Sequence, residues 1–194
     1  RKVIDLCKHA HQSKNLKIVG LACHIGSQIL DLEGFIKSAD KIFELADELE
    51  DFDISLEFLD LGGGLGISYE NEVPPSPLDL ISCLEDKFKN RKERLILEPG
   101  RSISANAGVL LTKVEYIKDN FLIVDAAMND LLRPSLYKAH HDVCNVKDKK
   151  DNLKKWNVVG PVCESSDFLA KNASLDVNED DLIVIKNAGA YGFV

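Results

Sequence analysis

Apolar and polar residues follow two rhythms along the chain, and the change between them divides it. Residues 17–23 (KIVGLAC) form a short apolar run rich in β-formers, which predicts a buried strand leading into the polar loop 24–28. Beyond it Phe35, Ile36, Ala39, Ile42, Phe43, Ala46 and Leu49 recur at helical spacing, with charged residues on the other face and Asp31 placed as N-cap. The unit then repeats. Residues 56–61 (LEFLDL) predict a second strand, followed by Gly62, Gly63 and Gly64 and a proline-rich stretch. Ser76 and Pro77 supply a capping serine and a proline at the first helical position, and Leu78, Ile81, Leu84, Glu85 and Phe88 carry the helix that follows. A third strand, 94–97, runs into Glu98, Pro99, Gly100 and Arg101. Strands about 38 residues apart with helices between them predict parallel β/α units of a barrel or a doubly wound sheet, with functional groups just after each strand.

After about residue 108 the rhythm changes. Residues 109–117 and 121–124 are strand-like runs separated by Lys118, Asp119 and Asn120, a hairpin signal. Residues 156–163 and 181–186 predict further strands, with long polar connections such as 145–155. The fold class is therefore α/β plus β, with a β/α part over 1–107 and an antiparallel β domain over 108–194.

Composition narrows the partners. The 194 residues carry 24 Lys plus Arg against 32 Asp plus Glu, a net charge of −8, which argues against nucleic acid or an anionic membrane surface. A hydrophobic share of 45% supports a real core, and no apolar run approaches the roughly 20 residues of a membrane helix. With no signal peptide at the start, a cytoplasmic location is expected. Five cysteines, an odd number without a C-x-x-C pair, argue for reduced thiols rather than a disulfide framework. Cys7, His9 and His11, and again His140, His141 and Cys144, lie close in sequence, but neither set has a second half at zinc spacing, so no metal is expected. The chain begins with Arg1 and stops at Val194 within an apolar stretch, so both ends look cut.

Several groups stand where chemistry is expected. Residues 62–64 free successive amides to approach an anion, although a glycine triplet also serves as a plain tight turn. Glu98, Pro99, Gly100 and Arg101 set a carboxylate and a guanidinium at the next strand end, or a turn with a surface ion pair. His24 follows the first strand. In the β half, Arg133 and Tyr137 are four residues apart, so one helical turn would present both on one face. Cys163 and Glu164 end a predicted strand, and residues 188–192 (AGAYG) use small residues to expose Tyr191.

Six motifs in order, CHIGSQ (23–28), LDLGGGLGI (59–67), EPGR (98–101), VDAAMNDLLRPSLY (124–137), GPVCESSD (160–167) and AGAYGF (188–193), closely resemble the diaminopimelate decarboxylase family. The resemblance implies a pyridoxal-5′-phosphate enzyme of the alanine-racemase-like fold, a carboxy-lyase releasing CO2 from meso-2,6-diaminopimelate to give L-lysine. This chain would hold the C-terminal part of a cofactor-binding (β/α)8 barrel followed by a β domain, and would work as a homodimer with shared active sites.

The resemblance also implies roles. Gly63, Gly64, Gly100 and Arg101 would hold the cofactor phosphate, Glu98 would pair with the pyridine nitrogen, and His24 would stack on the ring. Tyr191 would reach phosphate and substrate. Arg101, Arg133 and Tyr137 would bind the distal substrate carboxylate, and a bidentate arginine suits that group better than a lysine. Glu164 would take the distal ammonium, and Cys163 would be the catalytic proton donor, the Cys-Glu pair coming from the neighbouring subunit. Ala22 replaces a bulkier residue often found before CHIGS in relatives, a change of packing. The lysine that holds the cofactor covalently in the family has no matching motif here; Lys8 and Lys14 lie in a helix-like polar context. The expectation is therefore a fragment that lacks the first half of the barrel and the C-terminal tail, leaving the β domain over 108–194 incomplete at its C-terminus. Low stability alone is expected, with strands exposed where the missing half of the barrel would pair. Alternatives are a decarboxylase for carboxynorspermidine or a basic amino acid, or a catalytically inactive regulatory homologue.

Overall fold

The computed structural model describes residues 2–193. They fall into two compact units, one formed by the residues up to Ile67 together with Val73–Ser102, the other by Ser68–Glu72 together with the residues from Ile103 onward. Among the described residues no helix is long and apolar enough to cross a membrane.

In the first unit α1 (Lys2–His11), β1 (Gly20–Ala22), α2 (Glu33–Glu50), β2 (Phe58–Asp60), α3 (Pro77–Phe88) and β3 (Arg94–Ile96) follow the expected order. The strands pair in parallel as β1-β2-β3, with Leu21 opposite Leu59 and Leu59 opposite Leu95. The regular strands are shorter than the apolar runs, but the pairing continues past them: Cys23 N donates to Asp60 O at 2.9 Å and Glu57 N to Val19 O at 2.7 Å. The helical stripe on α2 buries Phe35, Ala39, Ile42, Ala46 and Leu49. These close one core with Leu59, Leu61, Leu84 and, from α1, Ile4 and Cys7.

Two helix details differ from the sequence reading. Leu32, packed against the core in a helical backbone conformation, takes the N-cap position of α2 and offers no capping side chain. Asp31 does the capping chemistry from one residue upstream, accepting the Gly34 amide at 3.3 Å. On α3 the expected Ser76 cap forms and is reinforced by Asp79, which returns a bond from the Ser76 amide. The buried face, however, is Leu80 and Leu84, while Leu78 and Ile81 point to solvent. Contacts with α2 set that rotation: Phe88 meets Phe43 edge to face with centroids 4.9 Å apart, and Lys87 reaches Asp40 at 2.5 Å.

In the second unit, β4 (Leu110–Lys118), β5 (Phe121–Val124), α5 (Arg133–Tyr137), β6 (Val143–Asn145), β7 (Lys154–Val159), β8 (Phe168–Leu175) and β9 (Leu182–Ile185) follow the short α4 (Arg101–Ser104). Six strands form one sheet in the order β6-β9-β4-β5-β7-β8. The β4–β5 hairpin closes with Lys118 opposite Phe121, and Asp119 sits in the left-handed region at φ 54°. The ladders are antiparallel except β5–β7, which is parallel and makes the sheet mixed. β6 and β8 add to the strands expected from sequence. β7 stops at Val159, short of Cys163, because Gly160 N turns to Asp167 O and Pro161 brings no backbone donor. Val114, Leu122, Leu131, Leu169, Leu175, Ile183 and Ile185 form the core of this unit.

Candidate active site

The C-terminal ends of β1, β2 and β3 bring three loops together. Buried Asp60, the last residue of β2, accepts the Gly62 amide on Oδ1 at 2.7 Å, a side-chain turn that reverses the chain straight after the strand. Gly62 O in turn accepts Glu98 N at 2.8 Å. The next two glycines are required by space. A Cβ on Gly63 would lie 2.0 Å from the Glu98 carbonyl oxygen, and one on Gly64, whose φ is 110°, would lie 2.1 Å from the Gly26 carbonyl oxygen. The loop therefore threads between its two neighbours with backbone atoms in contact on both sides.

His24 is tied to this glycine turn. Its Nδ1 accepts the Gly63 amide at 3.3 Å, so the lone pair is on Nδ1 and the ring proton on Nε2. The Gly64 amide finds no acceptor among the described residues. Arg101, at the start of α4, donates through Nη2 to Ser27 Oγ at 3.0 Å and so links the third loop to the first. Gln28, held at φ 60°, exchanges two bonds with the backbone of Ile67, donating to its carbonyl at 2.6 Å and accepting its amide at 3.2 Å. His24, Gly63, Gly64, Glu98, Gly100 and Arg101 thus share one end of the parallel sheet. A cradle with no room for Cβ atoms, an amide awaiting an acceptor and an adjacent guanidinium suit a small anion such as a phosphate monoester. The exposed Glu98 carboxylate at the same end suits a protonated ring nitrogen.

In the second unit, the remaining candidates occupy three segments. α5 forms as expected, but it does not treat Arg133 and Tyr137 alike: Arg133 is 8% exposed and Tyr137, at the end of the helix, 70%. Arg133 Nη1 lies 2.8 Å from His141 Nε2, and the guanidinium carbon stands 4.2 Å from the centroid of the buried Tyr69 ring. Cys163 and Glu164 are exposed in the loop between β7 and β8. Tyr191 is exposed at φ 55°. Its loop is held by Gly189 N on Ala105 O at 3.1 Å and Ala188 N on Gly108 O at 2.9 Å. Among the described residues, no hydrogen bond joins Cys163 or Glu164 to Arg133 or Tyr137. All five cysteines are free thiols, and no metal-binding group of three or more side chains occurs among the described residues.

The structure adds residues that the sequence reading left without a role. Asp60 was detectable as an Asx turn, standing two residues before a glycine whose amide needs a partner. Asp167 is 4% exposed and accepts Met128 N on Oδ1 at 2.7 Å and Val162 N on Oδ2 at 2.9 Å, which fixes the Cys163 loop to the segment before α5. No short-range pattern marks it. His141, grouped in the sequence with His140 and Cys144, contacts Arg133 and the Lys186 backbone carbonyl.

The chain resembles known proteins along nearly its whole length. A diaminopimelate decarboxylase of Pseudomonas fluorescens is 48% identical over 194 residues, covering 98% of this chain and 47% of that protein. The crystal structure of AQ1208 from Aquifex aeolicus superposes with a TM-score of 0.95 at 43% identity, covering all of this chain and 49% of that one. That of diaminopimelate decarboxylase from Helicobacter pylori complexed with L-lysine gives 0.92 at 42%, covering 98% and 49%. The chain spans about half the length of the curated relatives it matches. The family model described as pyridoxal-dependent decarboxylase, C-terminal sheet domain, matches residues 3–189. With that match over a glycine cradle and a mixed sheet, the chain belongs to the pyridoxal-dependent decarboxylase family.

Proposed function

We propose that this chain serves a pyridoxal-phosphate-dependent carboxy-lyase that converts meso-2,6-diaminopimelate to L-lysine and CO2. The observation that carries the reading is Arg133, a guanidinium buried and held by two aromatic rings where a solvated arginine would gain nothing from such enclosure. A planar guanidinium fork suits a second substrate carboxylate, a group that diamine-forming substrates lack. The names of the relatives, and the L-lysine complex of one of them, support the same choice.

In this reading residues 1–107 belong to the cofactor barrel and 108–194 to the β domain. The glycine cradle fits the cofactor phosphate: the Gly63, Gly64 and Gly100 backbone and Arg101 would hold it, with Tyr191 reaching phosphate and substrate. Glu98 would keep a proton at the pyridine nitrogen and His24 would lie against the ring. Pyridoxal phosphate, when bound, supplies the electron sink that lets the bond to CO2 break. The chain's own residues do the rest. Arg101, Arg133 and Tyr137 orient the distal carboxylate, Glu164 takes the distal ammonium, and Cys163 delivers a proton to the carbon that has lost CO2. The exposed Cys163 loop is suited to reach the site of a second copy in a cytoplasmic homodimer.

Replacing Arg133 by Ala in the full-length holoenzyme tests the substrate assignment. The expected result is a KM for diaminopimelate raised at least ten-fold, or loss of turnover; an unchanged kcat/KM overturns it.

A further inference from the structure

His141 is the most enclosed titratable side chain that the proposed chemistry leaves unused, with 2% of its surface exposed. Its Nδ1 lies 2.8 Å from the Lys186 carbonyl oxygen and its Nε2 lies 2.8 Å from Arg133 Nη1. A carbonyl oxygen accepts and a guanidinium donates, so Nδ1 carries the proton and Nε2 the lone pair. Only the neutral Nδ1–H ring makes both bonds; a doubly protonated ring would aim an N–H at a cation. The anchor is firm, since the Lys186 amide donates to Asp142 O at 2.8 Å where β9 runs beside β6. Tyr69 completes the arrangement: its ring meets His141 edge to face at 5.1 Å and covers the Arg133 guanidinium. His140 next door is exposed and engages Asp142 at 3.0 Å, so the two histidines are not interchangeable.

We infer that His141, as the neutral Nδ1–H tautomer, is a positioning residue that sets the plane of the Arg133 guanidinium for the distal carboxylate of the substrate. The inference rests on the assignment of Arg133 made above. A guanidinium has five N–H donors in one plane; a bond to a ring fixed on the sheet turns that plane, and a two-point grip on a carboxylate depends on its angle.

The test uses the full-length, pyridoxal-phosphate-loaded protein with two variants and one spectrum. His141→Leu removes the acceptor for Arg133; His141→Gln keeps one. The expected result is a KM for meso-diaminopimelate raised about ten-fold in His141→Leu with kcat changed less than three-fold, and most of that rise recovered in His141→Gln. Histidine 15N spectra of the wild type at neutral pH should show His141 protonated on Nδ1 and bare on Nε2. A proton on Nε2, or an unchanged KM in His141→Leu, overturns the inference. If His141→Leu does not fold, the His141→Gln kinetics and the spectrum decide: a kcat loss with KM unchanged in His141→Gln counts against it. Arg133→Ala separates the two readings. If Arg133→Ala leaves KM unchanged, the substrate assignment fails and the inference with it. If Arg133→Ala raises KM and His141→Leu does not, the positioning role alone fails.

Discussion

The Asp167 carboxylate accepts the Val162 amide at 2.9 Å on Oδ2 while its Oδ1 takes the Met128 amide at 2.7 Å. One buried acid therefore sets the shape of the loop that presents Cys163 and Glu164. Asp167→Asn replaces one of the two acceptors by a donor that faces an amide N–H, at a cost of about 1–3 kcal/mol. Turnover should fall about ten-fold while the cofactor absorbance of the full-length protein stays. Steady-state assays beside absorbance spectra check this, and wild-type turnover in the variant would contradict it.

Gly64→Ala should weaken pyridoxal phosphate binding by at least ten-fold. The added methyl meets the Gly26 carbonyl oxygen at 2.1 Å and the residue must hold φ 110°, so the cradle has to open. Cofactor titration followed by absorbance measures the loss; an unchanged affinity would remove the cradle from the phosphate site.

Cys163→Ala should slow proton delivery and leave cofactor absorbance intact. A solvent deuterium isotope effect on turnover that changes in the variant is the expected signature. Loss of cofactor absorbance would instead give Cys163 a structural role.

Acid should destabilise the first unit through Glu93. Burial pushes its carboxyl up, but two bonds from Arg91, at 2.7 and 3.1 Å, a backbone hydrogen bond and the charges of Arg91 and Lys92 together hold it below the ordinary range. A depressed folded-state pKa means that the stabilisation is complete above the unfolded value, about 4.3, and is lost as pH falls through the folded one. Asp79, held low by the Ser76 hydroxyl, acts in the same direction in this unit, and Asp181, held low by Lys149, does so in the second unit. Thermal unfolding from pH 6 to pH 3 should show the midpoint falling below about pH 4.3, with a smaller fall in Glu93→Gln. Glu93→Ala, which removes two charge-assisted bonds and leaves Arg91 with Asp47 alone, should cost about 1.5–3 kcal/mol by denaturant unfolding.

Much of the first unit was legible because its information is local. The α2 stripe, the Ser76 cap and the strand-loop-helix rhythm each fall within one window of sequence, and the glycine triplet marks the loop that must pass between two others. The second unit was less legible for a physical reason. β8 carries Lys171, Asn172 and Ser174 in its middle, with Asn172 at φ 55°, so it lacks a clean alternation. The parallel β5–β7 ladder joins Phe121 to Asn157 across the whole of α5 and β6, a pairing that no nearby residue announces. The grouping of Ser68–Glu72 with the second unit depends on Tyr69 packing on His141 and Arg133, more than 60 residues away in the chain. Candidate residues were found where motifs were dense, and the residues that hold them in place, Asp60, Asp167 and His141, emerged from burial and hydrogen bonding.

The central claim is that Arg133 and its surroundings select an amino acid with a second carboxylate, and CO2 release from a panel of substrates tests it most directly. With the full-length protein, saturating pyridoxal phosphate and equal substrate concentrations, meso-diaminopimelate should be decarboxylated to L-lysine at least a hundred-fold faster, per active site, than L-lysine, L-ornithine or carboxynorspermidine. Comparable or faster release from any of those three, or no release from diaminopimelate, would contradict it.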